Sequence, residues 1–513
     1  MHSLLIWRCL MKVNKKVIII GSGIGGLYCG IKLLHAGFEV EIFEKESKVG
    51  GVAATKIIPP LNIHFDECAS IVIEPNEYKK IFYDIQLNPD DFFTFMPLQN
   101  LYKVFFYNNE TFLLSRNLYH QKENFEQMFH EPFCHYVKFV KQLNRVYTIA
   151  TQEFLTKPFI RFKKLSFVSP RMLKKIYVLK PFQSASFLIR HYIKNKEFQK
   201  VLLFQCLYMG ISPYKLMATY SIIPAVAQSK GIYHIKGGMG AYIEGLKQVF
   251  EQLGGSIHLN SNVESITMAD HKATGVIVNS KKIPSEYVIS NADYCYTISK
   301  LLKKQRGLKK IRRNCKAYHH TCSVFILRLC LNKKFETFSV HNIYINEEFK
   351  KEINYIFKGQ LPKSPPLYIY YPSSIDDNFA SKGYSCMNIM IRVPNLSYKN
   401  IRWDKKTIAL LRFICLNTLE KITQCHQIEK SIVYEECLTP TSLKNKYNLT
   451  KGAAFGIAPT RFQNMMFRPQ HSIPSIKNLY FVGSSIHPGN GVSIVMKNAT
   501  QVVHSIIKNK QPN

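Results

Sequence analysis

The sequence has few acidic residues and little tryptophan, and no apolar run in it is long enough to cross a membrane. It carries 34 Asp and Glu against 69 Lys and Arg, a formal net charge of +35, and 2 Trp. A spanning helix needs roughly 20 consecutive apolar residues, and no stretch reaches that length. The positive charge does not specify a fold, but it favours anionic partners such as a lipid surface, nucleic acid or acidic ligands.

Motifs for metal ions and disulfide bonds are lacking as well. The 13 cysteines are scattered, no two are spaced C-x-x-C, and none stands near histidine at zinc-ligand spacing. An odd, dispersed set does not form a disulfide framework. We therefore expect no metal site and reduced thiols in a cytoplasmic protein. The apolar residues 1–10 have no basic start and no small-residue cleavage site, which disfavours a secretion signal.

Hydrophobic residues make up 46% of the chain and charged residues 20%, ordinary values for a globular protein. The first clear element is the apolar run at 17–20, typical of a buried parallel strand. A glycine-rich turn at 21–26 follows it. A helical pattern then ends at Gly37, and residues 40–44 form a second strand. Together these features predict a βαβ unit.

The glycine-rich turn has the spacing of a dinucleotide-binding motif. Gly21 allows a tight turn, Gly23 lets the backbone approach a pyrophosphate, and Gly26 lets helix and strand pack closely, with Gly25 between them. The N-terminus of the helix presents free N–H groups to the phosphates. Glu44, at the end of the second strand, is predicted to bind the ribose hydroxyls.

Glycines near both ends of the chain indicate which dinucleotide is bound. Gly50 and Gly51 follow Glu44 closely. Near the other end, a strand at 479–482 leads into Gly483, then a loop with Pro488, Gly489 and Gly491, and a last helix from about Val492. This two-ended arrangement is typical of flavoproteins that bind FAD. The last helix is expected to point its N-terminus at the flavin ring.

Between these ends the composition changes. Residues 157–200 hold twelve Lys and Arg and one acid, Glu197, with aromatic residues between them. We predict an α/β fold: a discontinuous Rossmann-like FAD-binding domain (12–80, 231–299 and 432–513), a mixed-sheet substrate domain (300–431), and a helical, basic, membrane-associating insertion (81–230). No metal ligands are assigned.

The motifs together resemble the bacterial carotenoid (phytoene) desaturase family of amine-oxidase-like flavoproteins. Residues 21–26, 235–239, 478–483 and 487–489 carry this resemblance. Longer strings bring it closer to the dehydrosqualene (4,4'-diapophytoene) desaturases, and they lie at 207–211, 220–224, 454–460 and 467–470. The likeness extends over nearly the whole chain from about residue 15.

The resemblance implies a noncovalently bound FAD and a long apolar isoprenoid beside it, whose carbon–carbon single bonds are oxidised stepwise to a conjugated polyene. It assigns the ADP part of the cofactor to Gly21, Gly23, Gly26, Glu44, Gly50 and Gly51. Val263 would meet the adenine end through its backbone, and Gly483 with residues 489–492 the flavin end. Two positions depart from the family pattern: Val52 replaces its usual arginine and Cys68 its usual glycine.

The implied reaction does not require a strong acid or base from the protein. FAD takes the hydride, and the protein supplies position and excludes water. A polyene spreads the positive charge left by hydride loss, so a strong protein base is not obligatory. The polar candidates near the flavin are Arg468, Glu435, Glu436 and His487, each more consistent with a structural role. The catalytic side chains stay unassigned.

A substrate this apolar resides in the bilayer. Lys and Arg near an anionic leaflet contribute about 1 kcal/mol each to binding, so we expect residues 157–200 to dock on anionic lipid; a solvated basic face is the alternative. The expected location is cytoplasmic, peripheral or monotopic on the cell membrane. No nucleic-acid module is recognisable, so no specific nucleic acid is expected as a partner.

Other functions stay open at this point. A diapocarotenoid terminal oxygenase and a forty-carbon phytoene desaturase would share the fold. An amine oxidase would want an aromatic cage at the flavin. A non-catalytic basic protein that binds membranes or nucleic acid would bind no flavin.

Overall fold

A computed structural model of the protein describes residues 15–59, 62–68, 70–155, 178, 180, 182–303, 305 and 307–508. Residues 1–14 lie outside the described residues, and so does the part 157–177 of the predicted docking segment 157–200. The α-helices are Ile24–His35, Pro75–Asp84, Lys122–Phe129, Phe133–Ala150, Ala185–Tyr192, Lys196–Cys206, Ile222–Lys230, Met239–Gln252, Tyr294–Tyr296, Lys309–Ala317, Phe349–Phe357, Lys405–Thr423, Pro440–Tyr447 and Val492–Lys508.

A parallel sheet joins both ends of the chain. Its five strands lie in the order Leu479–Phe481, Tyr287–Ser290, Lys16–Ile20, Glu39–Phe43 and Ser256–His258. The central strand is buried on both faces, which explains its unbroken apolar run. The predicted βαβ unit and the discontinuous Rossmann-like architecture are therefore confirmed.

A larger mixed sheet has seven strands. Their order is Ile432–Leu438, Ser323–Leu331, Ser385–Val393, Leu367–Tyr370, His341–Ile345, Asn100–Phe106 and Thr111–Ser115. Only His341–Ile345 and Asn100–Phe106 run parallel to each other. The helix Lys405–Thr423 packs on one apolar face. The opposite face, which carries Val324 and Arg328, is called the inner face below and packs against the aromatic helical region.

Three smaller sheets complete the architecture. Val263–Ala269, Lys272–Val278 and Lys281–Pro284 form an antiparallel sheet. Two antiparallel strand pairs join Thr55–Ile58 to Ile63–Asp66 and Phe95–Pro97 to Tyr233–Ile235. Among the described helices, none has the length and apolarity to cross a bilayer.

Two expectations about the segments need correction. The stretch 81–230 is not helical throughout, because Asn100–Phe106 and Thr111–Ser115 are strands of the large mixed sheet. The strand Ile432–Leu438 pairs with Ser323–Leu331 in that sheet instead of joining the parallel one. Long-range pairing decides both outcomes, and local composition does not reveal it. The three-part division into domains itself stays a prediction.

Candidate functional site

The glycine-rich turn connects the strand Lys16–Ile20 to the helix Ile24–His35. The N–H of Gly21 donates to the carbonyl of Phe43 at 2.8 Å and so ties the turn to the neighbouring strand. A Cβ on Gly26 would lie 2.3 Å from the carbonyl oxygen of Gly21. Close approach of helix and turn therefore requires glycine at this position, in agreement with the packing role predicted from the motif.

The carboxylate of Glu44 lies against the same turn. Its Oε2 accepts hydrogen bonds from the N–H and the hydroxyl of Ser22, both at 2.8 Å. Its Oε1 accepts from the N–H of Glu46 at 3.0 Å. The N–H of Ser261, two residues before Val263, donates to the Glu44 carbonyl at 2.7 Å. The structure thus brings Glu44 and the start of the Val263 strand to one place.

The second glycine pair lies beside the turn. Gly50 donates its N–H to the Ser22 carbonyl at 3.0 Å and forms a parallel bridge with Gly23. Gly51 opens the short helical turn Gly51–Ala53, and both glycines have positive φ, 104° and 56°. L-residues with side chains rarely adopt this conformation, so the turn requires glycine twice in succession.

The C-terminal loop reaches the turn from the other side. Val482, just before Gly483, donates its N–H to Ser290 at 3.0 Å. A Cβ on Gly25 would lie 2.9 Å from Val482 Cγ2 and 3.0 Å from Val495 Cγ1. Pro488 follows a cis peptide bond, and Gly491 precedes the helix Val492–Lys508, accepting from the Val495 N–H at 2.9 Å. The C-terminal strand and the last helix therefore come close to Gly25 through Val482 and Val495.

Asn291 is the central residue that the sequence analysis missed. Its backbone N–H donates to Ile20 at 2.9 Å and its Nδ2 to the Gly21 carbonyl at 3.3 Å. Its side chain would be 2.7 Å from a Cβ on either Gly23 or Gly25. It directly follows the strand Tyr287–Ser290. A polar residue at the carboxyl end of a parallel strand is the signal that could have identified it.

Three glycines beside the turn are packed less tightly than Gly25 and Gly26. At Gly51, Gly483 and Gly489 an added Cβ would find its nearest neighbour at 3.9, 3.6 and 3.9 Å. These glycines therefore leave space beside the turn instead of filling a tight protein contact. The helices Ile24–His35 and Val492–Lys508 begin beside this turn, and their N-terminal N–H groups would be the donors for a pyrophosphate and a flavin.

The two departures from the family pattern are neighbours in space. Val52 is partly exposed, and its carbonyl accepts a hydrogen bond from the Cys68 N–H at 3.2 Å. Cys68 therefore closes its turn through the backbone, without glycine. Burial raises the pKa of the Cys68 thiol to about 12. The thiol is accordingly protonated at neutral pH and adds no charge to the crevice.

The four polar candidates have structural partners. Arg468 is buried and donates to the carbonyls of Ile486, Ile457 and Ser484 at 3.0, 2.9 and 2.7 Å. Burial lowers the pKa of its guanidinium to about 10. The His487 N–H donates to the Pro469 carbonyl at 2.8 Å. These contacts hold the C-terminal loop in shape.

The glutamate candidates lie on the strand Ile432–Leu438 and belong to ion pairs. Glu435 accepts from Arg412 at 2.6 Å, and Glu436 accepts from Lys56 at 2.7 Å and Arg328 at 2.8 Å. Burial would raise the pKa of Glu436, but the Lys56 hydrogen bond and the Arg328 charge lower it overall. Both glutamates are therefore structural ion-pair partners, and the lowered pKa keeps Glu436 ionised at neutral pH.

A chain of buried polar groups crosses the inner face. The Tyr370 hydroxyl donates to Asp66 at 3.1 Å and lies 3.3 Å from His234 Nδ1, while His234 Nε2 lies 2.7 Å from Asp376. Burial raises the pKa of Asp66 to about 6. Burial would raise the pKa of Asp376 too, but hydrogen bonds from His234 and the Gly237 N–H bring it to about 2. Within the described residues, no cluster suits a metal ion.

Comparison with known proteins identifies the family. The profile of flavin-containing amine oxidoreductases matches residues 24–495. The chain is 30% identical to the 4,4'-diapophytoene desaturase (4,4'-diaponeurosporene-forming) of Staphylococcus haemolyticus over 96% of this chain and 98% of that protein. The protein of the same name from Staphylococcus aureus strain COL is also 30% identical, over 96% and 99% of the two chains. The resemblance noted in the sequence is therefore confirmed.

Solved structures of low sequence identity share the fold. An oxidoreductase from Methanosarcina mazei superposes with a TM-score of 0.64 at 14% identity, over 95% of this chain and all of that one. Wild-type putrescine oxidase bound to putrescine gives a TM-score of 0.64 at 13% identity, over 97% and 100%. The chain belongs to the family of flavin-containing amine oxidoreductases and is an FAD-dependent oxidoreductase.

Proposed function

We propose that this protein desaturates a thirty-carbon isoprenoid, 4,4'-diapophytoene, to a conjugated diapocarotenoid. The observation that carries the proposal is the glycine-lined crevice, built from both chain ends in a chain that aligns with named desaturases over 96% of its length. A large apolar cluster against the inner face of the mixed sheet supports an apolar substrate. No comparable observation in the described residues supports an amine substrate.

The residues of this chain hold and position the reactants. Gly21, Gly23, Gly26, Glu44, Gly50 and Gly51 would hold the ADP part of FAD, with Val263 at the adenine end. Gly25, Gly483, Pro488, Gly489, Gly491 and Val492 would surround the flavin end. When bound, FAD supplies the hydride acceptor that desaturation needs. The protein contributes orientation and exclusion of water. Loss of the proton from the neighbouring carbon does not require a strong protein base, because the polyene spreads the positive charge left by hydride loss.

A direct assay tests this function. FAD-loaded protein is mixed with liposomes that contain 4,4'-diapophytoene, and the visible absorption of the extracted products is recorded. We expect new long-wavelength bands, because each desaturation lengthens the conjugated system. Protein stripped of FAD is the control and should give none. A normal flavin spectrum together with unchanged substrate would contradict the proposal.

We propose further that the protein docks on an anionic membrane to reach this substrate. An exposed apolar patch supports docking. It is defined here as Phe182, Phe462, Met466 and Phe467, whose side chains are exposed by 81%, 81%, 48% and 57%. Arg461 joins the two segments by donating to the Phe182 carbonyl at 2.6 Å. Exposed apolar groups beside cations are typical of surfaces that enter the lipid interface.

The surroundings of the patch agree with this role. Asn464, within the second segment, donates to the hydroxyl of Tyr220 at 2.9 Å, and Tyr220 packs on the apolar cluster of the inner face. The helix Ala185–Tyr192 follows Phe182, and its Arg190 lines an open groove of about 820 Å³ together with Lys196, Lys200, Lys350, Lys351 and Lys358. Glu347 and Glu348 also line this groove, so its lining has an excess of cations over acids. The hydrogen bond to Tyr220 links the patch to the apolar cluster where the substrate is proposed to lie.

Phe462→Asp should reduce membrane binding by about tenfold or more, because inserting one large apolar side chain contributes roughly 1.5–3 kcal/mol and an aspartate repels anionic lipid. Sedimentation with phosphatidylglycerol liposomes at low salt measures the bound fraction. Phe413→Asp is a matched control, since Phe413 is 65% exposed on the helix Lys405–Thr423 outside the patch. Equal losses in both variants, or no loss in either, would remove the docking proposal.

A further inference from the structure

Arg392 is a buried cation without a counter-ion. It lies on the inner face, opposite Val324 of the neighbouring strand, and is only 5% exposed. Its Nε is enclosed and has no hydrogen-bond partner. In the part of the chain that the structure describes, no carboxylate pairs with this guanidinium. Burying a charge without a partner is costly, so such a group is rare unless something else compensates it.

The same sheet face shows how this protein compensates a buried arginine elsewhere. Arg328 is as deeply buried, and its guanidinium is held by Glu67 at 2.6 Å and Glu436 at 2.8 Å. At Arg392 three aromatic rings take the place of acids. The centroids of Phe204, Tyr208 and Phe455 lie 5.9, 5.7 and 5.5 Å from its Cζ. Cation–π contacts offset only part of the hydration free energy that the guanidinium loses on burial.

The groups around Arg392 are neutral at physiological pH. Burial raises the pKa of the Tyr208 hydroxyl to about 12 and that of the Cys322 thiol to about 12. Burial also raises the pKa values of Tyr102 and Tyr368 well above those of free tyrosine. Arginine itself keeps its charge in proteins, even where burial lowers its pKa. The net charge of Arg392 and these neighbouring groups is therefore +1.

Tyr208 connects the surroundings of Arg392 to the C-terminal loop. Tyr208 and Phe455 keep accessible surface although they pack against the apolar cluster of the inner face. Asn490, in the C-terminal loop, donates to the Tyr208 carbonyl at 3.0 Å. Arg392 thus lies one aromatic residue away from the loop predicted to surround the flavin.

We infer that Arg392 anchors a carboxylate at the end of a long apolar chain. The guanidinium fork matches the two oxygens of a carboxylate and supplies the missing charge balance. Phe204, Tyr208 and Phe455 would surround the head, and the apolar cluster would receive the tail. The inference rests on the proposed function, in which an apolar substrate lies beside the inner face, and it adds a ligand class, because the hydrocarbon proposed above has no atom that could pair with Arg392.

Equilibrium binding of palmitate and hexadecanol to the FAD-loaded protein tests the anchor. We expect wild type to prefer palmitate, and Arg392→Met to weaken palmitate binding by about tenfold or more while changing hexadecanol binding less than about twofold. Arg392→Lys keeps the positive charge but lacks the forked pair of N–H donors. Its palmitate affinity should therefore lie between those of wild type and Arg392→Met. Arg412→Met removes a surface arginine and is the control. Equal weakening of both ligands, or unchanged palmitate binding, overturns the inference.

Thermal melting gives a second, independent readout. Without ligand, Arg392→Met should melt at a higher temperature than wild type, because it removes an uncompensated buried charge; a lower melting temperature would mean that the guanidinium has a structural partner and would overturn the inference. The outcomes distinguish a failure of the proposed anchor from a failure of the proposed function. Arg392-dependent palmitate binding without desaturation would contradict the function alone, whereas desaturation without such binding would contradict the anchor alone.

Discussion

Gly26→Ala is expected to yield a protein that purifies almost without FAD and is less stable by about 1–3 kcal/mol, the usual range for overpacking. The added Cβ would lie 2.3 Å from the carbonyl oxygen of Gly21 and 3.3 Å from Ile19 Cγ2. Neither neighbour can yield, since one is backbone of the turn and the other belongs to the buried central strand. The turn must therefore shift away from the phosphates. Flavin absorbance per protein and thermal melting measure both effects.

A second glycine separates this clash from the general effect of replacing glycine. Gly383 has a φ of +89°, and an added Cβ would meet nothing within 4 Å. Gly383→Ala should cost about 1 kcal/mol through backbone strain and leave the flavin content unchanged. If Gly26→Ala retained a full complement of FAD, the turn would not hold the cofactor in the way proposed.

The parts of the fold predicted from sequence are those that neighbouring residues specify. The strand Lys16–Ile20, the turn after it and the helix Ile24–His35 follow from apolar runs and glycine spacing within 20 residues. The C-terminal counterpart, Leu479–Phe481 and Val492–Lys508, was predicted for the same reason. Their meeting at one crevice could be inferred because two-ended cofactor sites have a recognisable order along the chain.

The parts that were missed depend on residues far apart in sequence. Asn291 acquires its role only when the strand Tyr287–Ser290 lies beside Lys16–Ile20. Arg392 looks like any strand arginine until three rings from distant segments surround it. The strand Asn100–Phe106 stands in an aromatic, basic stretch whose composition resembles that of the helices around it, and its pairing with His341–Ile345 bridges more than 200 residues.

The buried ion network on the inner face gives the other large expected effect. Arg328 holds the backbone carbonyl of Glu67 at 3.1 Å as well as its carboxylate, and Lys446 holds the second oxygen of that carboxylate at 2.5 Å. Glu67 is almost fully buried. Arg328→Met would leave Glu67 and Glu436 without their shared cation, and losing one partner of a buried pair destabilises by about 3–5 kcal/mol.

The pH dependence of the Arg328→Met effect identifies its cause. Burial would raise the pKa of Glu67, but the Arg328 charge and the hydrogen bonds from Arg328 and Lys446 lower it overall. A lowered folded-state pKa gives stability that is present above the unfolded value of about 4.3 and is lost as pH falls through the folded value. The difference between wild type and Arg328→Met, measured by urea unfolding, should therefore be largest near pH 7 and shrink below about pH 4.

Arg412→Met is the matched control for this network. Arg412 also bridges two carboxylates, Glu435 at 2.6 Å and Glu429, but its side chain is 31% exposed against 1% for Arg328. Exposed pairs contribute roughly 0–1 kcal/mol because water screens them. The two variants remove the same chemical group with the same number of acidic partners, so burial is the variable that differs. Equal losses of stability would show that packing of the arginine stem, and not the enclosed charge, holds the inner face together.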